Sequence, residues 1–244
     1  GGKFQISVHG PGEIAPGLQV LDAVQANTVE CGHTATYYFF GKDPTWAFGS
    51  IVPFGRTTRQ YNSWWYHGGG KGVFNEFTRK NGVVAILAGN TNMQMGGWFR
   101  EEIKSLDSLK GLKFRIAGLG GQIFAKLGAV PQQIAGGDLY PALEKGTIDA
   151  AEWVGPYDDE KLGLNKVAKF YYYPGFFEGC AGVHTLCNAK AYDALPAEFK
   201  AALDAAGAEA TIDMISKYDA LNAVAIKRLV ATGTQLRAYP RAVL

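Results

Sequence analysis

Little in this chain announces covalent chemistry. It has three cysteines, Cys31, Cys180 and Cys187, and no CxxC pair, so it carries neither a zinc ribbon nor a dithiol redox motif. The four histidines, His9, His33, His67 and His184, do not cluster with the cysteines in the sequence, which argues against a Cys/His zinc site. Serine is sparse and no G-x-S-x-G elbow occurs, which removes the nucleophile of the α/β-hydrolases. Cys31-Gly32-His33 sets a thiol and an imidazole on one face of a strand, but nothing nearby supplies the third group of a nucleophilic relay. A strand-end histidine is the simpler reading. The three thiols are expected to be buried and inert. An oxidising compartment would allow one pair to bond, and the sequence does not say which.

An excess of charge of one sign is missing too. Lys and Arg total 24 against 22 Asp and Glu, for a net charge of +2, which leaves no basic stripe for nucleic acid and no polybasic patch for a membrane surface. The longest apolar runs, Val83–Ala88 among them, fall far short of the roughly 20 residues of a membrane-spanning helix. A composition of 47% hydrophobic and 19% charged residues excludes a disordered chain. What is present is glycine, 32 residues of it, and aromatic side chains at 13%, a mixture suited to loops that wrap a small ligand. At roughly 150 residues per domain, 244 residues make one large domain or two small ones.

Along the chain strands and helices alternate. Period-two alternation predicts a strand at Phe4–Val8. Helical spacing over Leu18–Thr28 leads into a short strand ending at His33. Thr57–Trp65 and Gly72–Asn81 read as helices, Val83–Leu87 as a strand buried on both faces. Leu112–Ile116 is a strand, Gly121–Leu127 a helix, Ala135–Lys145 a helix closed by Gly146, and Ile148–Glu152 a strand. Gly182–Cys187 is a strand followed by Asn188 as an N-cap, and Pro196 opens a long Ala-rich helix from Ala197 to about Val230. Such alternation predicts an α/β protein with parallel sheet. Two helix–Gly–strand units, ending near Gly32 and at Ala150, suggest two similar lobes facing one cleft, where open α/β sheets place their ligands. Gly1-Gly2-Lys3 runs straight into the first expected strand without Met or signal peptide, and Ala238–Leu244 enters what reads as another helix; both ends are expected to be those of a fragment, so the missing signal does not argue for the cytoplasm.

A few residues stand out chemically. Gly118-Leu119-Gly120-Gly121 follows a strand and opens a helix, but Ile123 stands where a dinucleotide fingerprint needs its third glycine. An anion near the helix N-terminus fits that turn better than a nucleotide. Arg115 lies between apolar Phe114 and Ile116, and a charge buried there needs an anionic partner. That partner is either a structural carboxylate or a substrate carboxylate clasped by the planar guanidinium, and both readings stay open. Glu152 precedes Trp153, Glu178 follows Tyr171-Tyr172-Tyr173-Pro174-Gly175-Phe176-Phe177, and Gln94 sits in a Gly- and Trp-rich loop. Carboxylates in such surroundings are protonated, paired or ligated to a cation. Together the three offer hard oxygens suited to Na⁺ or Ca²⁺.

The stretch Gln133-Ile134-Ala135-Gly136-Gly137-Asp138-Leu139-Tyr140-Pro141-Ala142-Leu143-Glu144-Lys145-Gly146-Thr147-Ile148-Asp149-Ala150-Ala151-Glu152-Trp153-Val154-Gly155-Pro156 resembles the signature of the periplasmic solute-binding proteins of tripartite ATP-independent (TRAP) transporters. Lys110-Gly111-Leu112-Lys113-Phe114-Arg115 is similar to that family's substrate-arginine strand. Gly96-Gly97-Trp98-Phe99, Tyr37-Tyr38 and Tyr157-Asp158-Asp159-Glu160-Lys161 resemble the branch that binds α-keto acids such as pyruvate. The resemblance covers nearly the whole chain. It implies a type II periplasmic binding protein fold, with residues 1–92 and 179–215 forming lobe I and residues 93–178 and 216–244 forming lobe II, the usual first strand and helix and the C-terminal helices lying outside this sequence.

The resemblance also implies roles. Arg115 would hold the substrate carboxylate. Gln94, Glu152 and Glu178, with the Trp153 carbonyl, would coordinate a cation that binds the keto acid in turn. Gln94 and Trp153 would thereby also meet the substrate, and Tyr38 and Asn92 would be further substrate contacts. Glu152, Glu178 and a monocarboxylate carry −3 and Arg115 returns +1, leaving −2; Na⁺ reduces this to −1 and Ca²⁺ to zero. The sum favours Ca²⁺, the keto-acid resemblance Na⁺, and Na⁺ is the expectation adopted. The implied function is not enzymatic: capture of a small keto acid in the periplasm and delivery to the membrane permease subunits, with no nucleic-acid partner and a homodimer left open. The alternatives are a metal-dependent lyase or aldolase, or binding of another carboxylate such as lactate.

Overall fold

The strands of the computed structural model, which describes residues 2–244, fall into two sheets of different character. Strands β1 (Cys31–Thr34), β2 (Val83–Asn90), β3 (Gly97–Phe99), β4 (Lys113–Arg115), β5 (Val130–Gln132), β6 (Ala150–Ala151), β7 (Phe170–Tyr173), β8 (Gly182–Asn188) and β9 (Gln235–Ala238) are joined by helices α1 (Val20–Gln25), α2 (Ala47–Ser50), α3 (Thr58–Tyr66), α4 (Gly70–Lys80), α5 (Gly118–Lys126), α6 (Leu139–Glu144), α7 (Pro156–Leu162), α8 (Ala189–Ala194) and α9 (Ala197–Ala231). The local chemistry explains several boundaries. Thr57 and Gln60 form a capping box at the start of α3, and the Asn188 side chain accepts from the Lys190 and Ala191 N–H groups at the start of α8.

The first sheet has the order β1-β8-β2, with both pairings antiparallel. Its core is Leu21, Val24, Trp46, Trp65, Phe74, Leu87 and Leu186. Helix α9 lies along β2 because Gly207 has no side chain: a Cβ there would fall 2.5 Å from the Leu87 carbonyl oxygen. The second sheet has the order β5-β4-β6-β3-β7-β9. Strand β4 is parallel to β5 and β6, β7 is parallel to β9, and β3 runs antiparallel to both of its neighbours. Three connections cross between the sheets: residues 91–96 from β2 to β3, residues 174–181 from β7 to β8, and α9. The first two are hydrogen-bonded to one another, Thr91 N–H to the Ala181 carbonyl at 3.0 Å and Gln94 N–H to the Glu178 carbonyl at 3.1 Å.

Four expectations need correction. Phe4–Val8 forms no strand: nothing pairs with it, and Ile6 and Val8 stand exposed while Phe4 stacks on Phe199. Parallel sheet holds only for part of the second sheet, because strands that return through the crossings, β3 and β8, must run against their neighbours. Strands β3, β5, β7 and β9 lie where no strand is expected from sequence, and Ala238–Leu244, expected to enter a helix, is the end of β9 followed by a turn. Finally, the three cysteines are not all free thiols. Register sets Cys31 directly opposite Cys187 on adjacent antiparallel strands, and the two form a disulfide. Cys180 is the free, buried one.

A candidate carboxylate and cation site

Arg115 ends β4, between β5 and β6 in the second sheet, and its side chain is completely buried. Backbone pairing with β6 places Glu152 beside it, with the Glu152 N–H donating to the Arg115 carbonyl at 3.0 Å. The guanidinium is then held on several sides. Nε donates to the Ile134 carbonyl at 3.0 Å, and Nη1 donates to the Glu152 carbonyl at 2.8 Å and to Glu152 Oε1. Its carbon lies 5.1 Å from the centre of the Trp153 ring, a cation–π distance. Trp153 in turn covers Gly136, where no Cβ would fit. Nη2 has no partner.

The two crossing segments bring the other oxygens to the same place. Gln94 belongs to the first, Glu178 to the second, and both are buried. The orientation of the Gln94 amide follows from its neighbours. The Thr91 hydroxyl donates to the Asn92 carbonyl, so it can only accept from Gln94 Nε2, at 2.9 Å. Gln94 Oε1 is left without a partner, as are Glu152 Oε2 and Glu178 Oε2. A buried polar atom without a partner costs roughly 1–3 kcal/mol. Three unpartnered oxygens and one unpartnered guanidinium nitrogen in adjoining segments fit a cation and a carboxylate respectively. Among the described residues no group of three or more His, Cys, Asp and Glu could hold a metal, so a cation here draws on two carboxylates and an amide, ligands for a hard ion.

Electrostatics agree with that fit. Burial raises both the Glu152 and Glu178 carboxyls and Arg115 pulls both down; the two carboxyls also lie close enough to act on one another, which raises Glu178 and lowers Glu152, and Asp159 raises Glu152 slightly. Burial works against the Arg115 charge, but the Glu152 carboxylate beside it, helped by Glu178, more than offsets it and holds the guanidinium protonated. The Tyr37 and Tyr38 phenols are raised mainly by burial and stay neutral donors.

Of the residues expected from sequence, Arg115, Glu152, Glu178, Gln94 and Trp153 come together in this way. Tyr38 adjoins Arg115, and its carbonyl accepts from Gln133 Nε2 at 2.8 Å. Asn92 is turned elsewhere: Oδ1 accepts from the Thr58 hydroxyl and Nδ2 donates to Asp219, so both ends of its amide are taken up by α3 and α9. Three contributors escaped the sequence reading. Tyr37 is buried, with Glu178 and Glu152 acting on its phenol, and packs on Gly118, whose φ of +56° suits glycine. Thr91 orients Gln94. Asp159 is a buried carboxylate in α7; it stands within a quoted acidic run, but nothing in that run singles it out from Asp158.

Comparison with known proteins adds the family. A model of the bacterial extracellular solute-binding proteins, family 7 (DctP), matches residues 1–243. A monocarboxylate 2-oxoacid-binding periplasmic protein of Nostoc sp. strain PCC 7120 is 51% identical over 243 residues, covering 100% of this chain and 67% of that protein. A TRAP transporter solute-binding protein of Bordetella bronchiseptica RB50, a mixed-occupancy dimer with copurified calcium and picolinate in one active site, superposes with a TM-score of 0.97 at 49% identity, over 99% of this chain and 72% of that one. A TRAP periplasmic solute-binding protein of Pseudoalteromonas atlantica T6c with bound sodium and pyruvate superposes with a TM-score of 0.89 at 42% identity, over 93% and 69% of the two chains. The two sheets and their crossings are thus the type II periplasmic binding protein fold, and this chain belongs to the DctP family of extracellular solute-binding proteins.

Proposed function

We propose that this protein captures a small 2-oxo monocarboxylate of the pyruvate class together with Na⁺ or Ca²⁺ outside the cytoplasm and passes it to the membrane permease of a TRAP transporter. The observation that carries the reading is the convergence of Gln94 Oε1, Glu152 Oε2, Glu178 Oε2 and Arg115 Nη2, four buried atoms without partners. A relative 51% identical is a 2-oxoacid-binding periplasmic protein and a structural neighbour 49% identical is a TRAP transporter solute-binding protein, and capture without turnover is the reading adopted here. Lobe I is residues 1–92 with 179–215 and lobe II residues 93–178 with 216–244, and the protein is free to work as a homodimer.

The residues of the chain divide the work. Arg115 Nη2 offers an N–H to one oxygen of the substrate carboxylate. A second parallel bond needs Nη1, which Glu152 Oε1 occupies. The incoming carboxylate therefore takes the place of the Glu152 side chain on Arg115, and Glu152 turns both oxygens towards Gln94 and Glu178. A cation bound there supplies positive charge for the carboxylates and for the keto oxygen. Tyr37 and Tyr38, kept neutral by burial, donate hydrogen bonds to substrate oxygens. Trp153 covers the guanidinium and excludes water from it, which strengthens each of these contacts.

Proton NMR of pyruvate incubated with the protein and Na⁺ or Ca²⁺ tests the reading. Broadened but chemically unchanged signals are expected. Conversion to a product would refute it in favour of a lyase or aldolase.

A further inference from the structure

The carboxylate of Asp159 lies in α7 and is almost wholly buried. Three donors converge on it. Oδ2 accepts from Trp98 Nε1 at 2.9 Å and from the Tyr171 hydroxyl at 2.7 Å, and Oδ1 accepts from the Val154 N–H at 3.2 Å. Each donor comes from a strand or strand end that leads into or out of a different segment of the candidate site. Trp98, in β3, follows Gln94 by four residues. Val154 follows Glu152 and Trp153. Tyr171, in β7, lies just before the second crossing, which carries Glu178. The rings of Trp98 and Tyr171 stack 4.0 Å apart, so their two donors reach Oδ2 side by side. The Val154 carbonyl then accepts from the Met95 N–H at 3.0 Å, which ties the Glu152 segment to the Gln94 segment a second time. Burial raises the Asp159 pKa to about 6 although all three donors pull it down, so at pH 7 it is largely a carboxylate. Its charge is felt at Glu152.

We propose that Asp159 is the positioning residue of the cation site: by tying the Gln94, Glu152–Trp153 and Glu178 segments to one buried carboxylate, it sets how tightly the site holds a cation that it does not itself touch. The inference rests on the cation reading given above. The geometry explains why such an anchor is needed. Gln94 and Glu178 sit on crossing segments and Glu152 at a strand end, so no single element fixes the spacing of their oxygens. A hard cation rewards only oxygens held at the right separation. Asp159 also adds a buried negative charge near the carboxylates, which favours a cation between them.

Asp159→Asn keeps the shape and removes the charge. One amide oxygen cannot serve all three donors, so either the Val154 N–H or the Trp98 indole N–H loses its acceptor. Calorimetric titration of CaCl₂ into the full chain, with the protein freed of cation by chelator and dialysis, reads the effect directly. The expected result is a Ca²⁺ affinity weakened at least tenfold in Asp159→Asn, with pyruvate affinity restored by raising Ca²⁺. An unchanged Ca²⁺ affinity in a folded Asp159→Asn would overturn the inference while leaving the cation site standing. Wild-type protein that takes up no Ca²⁺ and binds pyruvate fully without Na⁺ would overturn both. If Asp159→Asn does not fold, Tyr171→Phe carries the test, since it removes one donor and keeps the stacked ring. Ca²⁺ affinity lowered at least threefold is then expected, and an affinity equal to wild type overturns the inference.

Discussion

Replacing Arg115 with Lys separates substrate clasp from structural ion pair. With substrate bound the guanidinium works on three sides at once: Nε donates to the Ile134 carbonyl, Nη1 to the Glu152 main-chain carbonyl, and the two Nη groups together face the substrate carboxylate. An ammonium carries its three donors on one atom and cannot serve Glu152 and a carboxylate in two parallel bonds. The substrate loses at least one charge-assisted hydrogen bond, about 1.5–3 kcal/mol. At about 1.4 kcal/mol per factor of ten, pyruvate should bind about 10- to 100-fold more weakly. The positive charge survives, so Glu152 keeps a partner and the fold should persist, which thermal unfolding without ligand will verify. Calorimetric titration of pyruvate in saturating Na⁺ gives the affinity. A loss smaller than about tenfold in a folded Arg115→Lys variant would refute the clasp and leave Arg115 as the structural partner of Glu152.

Glu178→Gln keeps an oxygen in place and removes a charge, so it should weaken the cation first and pyruvate only through it. Pyruvate titrations at rising Na⁺ should show the lost affinity returning, and a deficit that saturating Na⁺ does not reduce would contradict this. His184 predicts a pH dependence of stability. Burial between Trp65 and Phe74 lowers its pKa to about 3, from an unfolded value near 6.5. The unfolded chain therefore binds the extra proton between about pH 6.5 and pH 3, and stability falls as the pH drops through that window. Glu152 and Glu178, raised in the fold, act in the opposite sense. The comparison with His184→Phe isolates the histidine: urea unfolding at pH 7 and pH 4.5 should show a smaller acid loss in the variant, and equal losses would contradict the assignment.

Much of this site was open to reading because the decisive residues break local rules. An arginine between Phe114 and Ile116 on a buried strand demands an anion whatever the fold. Two glutamates amid aromatic residues demand a proton, a basic partner or a cation. Where the sequence failed, the missing information was non-local. The Cys31–Cys187 bond depends on the register of β1 against β8, from residues 156 apart. Strands β3 and β7 are three and four residues long and exist because each pairs with neighbours distant in sequence. Phe4–Val8 shows the reverse case: alternation alone makes no strand without an edge to join. Asn92 had the right composition for a substrate contact, but Thr58 and Asp219 take up its amide, and both lie on helices whose approach no local pattern reveals. Asp159 matters through Trp98, Val154 and Tyr171, three partners that meet only in the folded sheet.

The most direct test of the central claim is a calorimetric titration of pyruvate into protein stripped of cation, in a sodium-free buffer with chelator, repeated in NaCl and in CaCl₂. If Gln94, Glu152 and Glu178 bind the cation that meets the substrate, pyruvate affinity must fall by the same factor by which pyruvate tightens the cation. The expected result is weak or undetectable binding without cation and full binding on adding Na⁺ or Ca²⁺. Equal pyruvate affinity in all three buffers would mean that the unpartnered oxygens of Gln94, Glu152 and Glu178 do not serve a cation, and the account would be wrong at its centre.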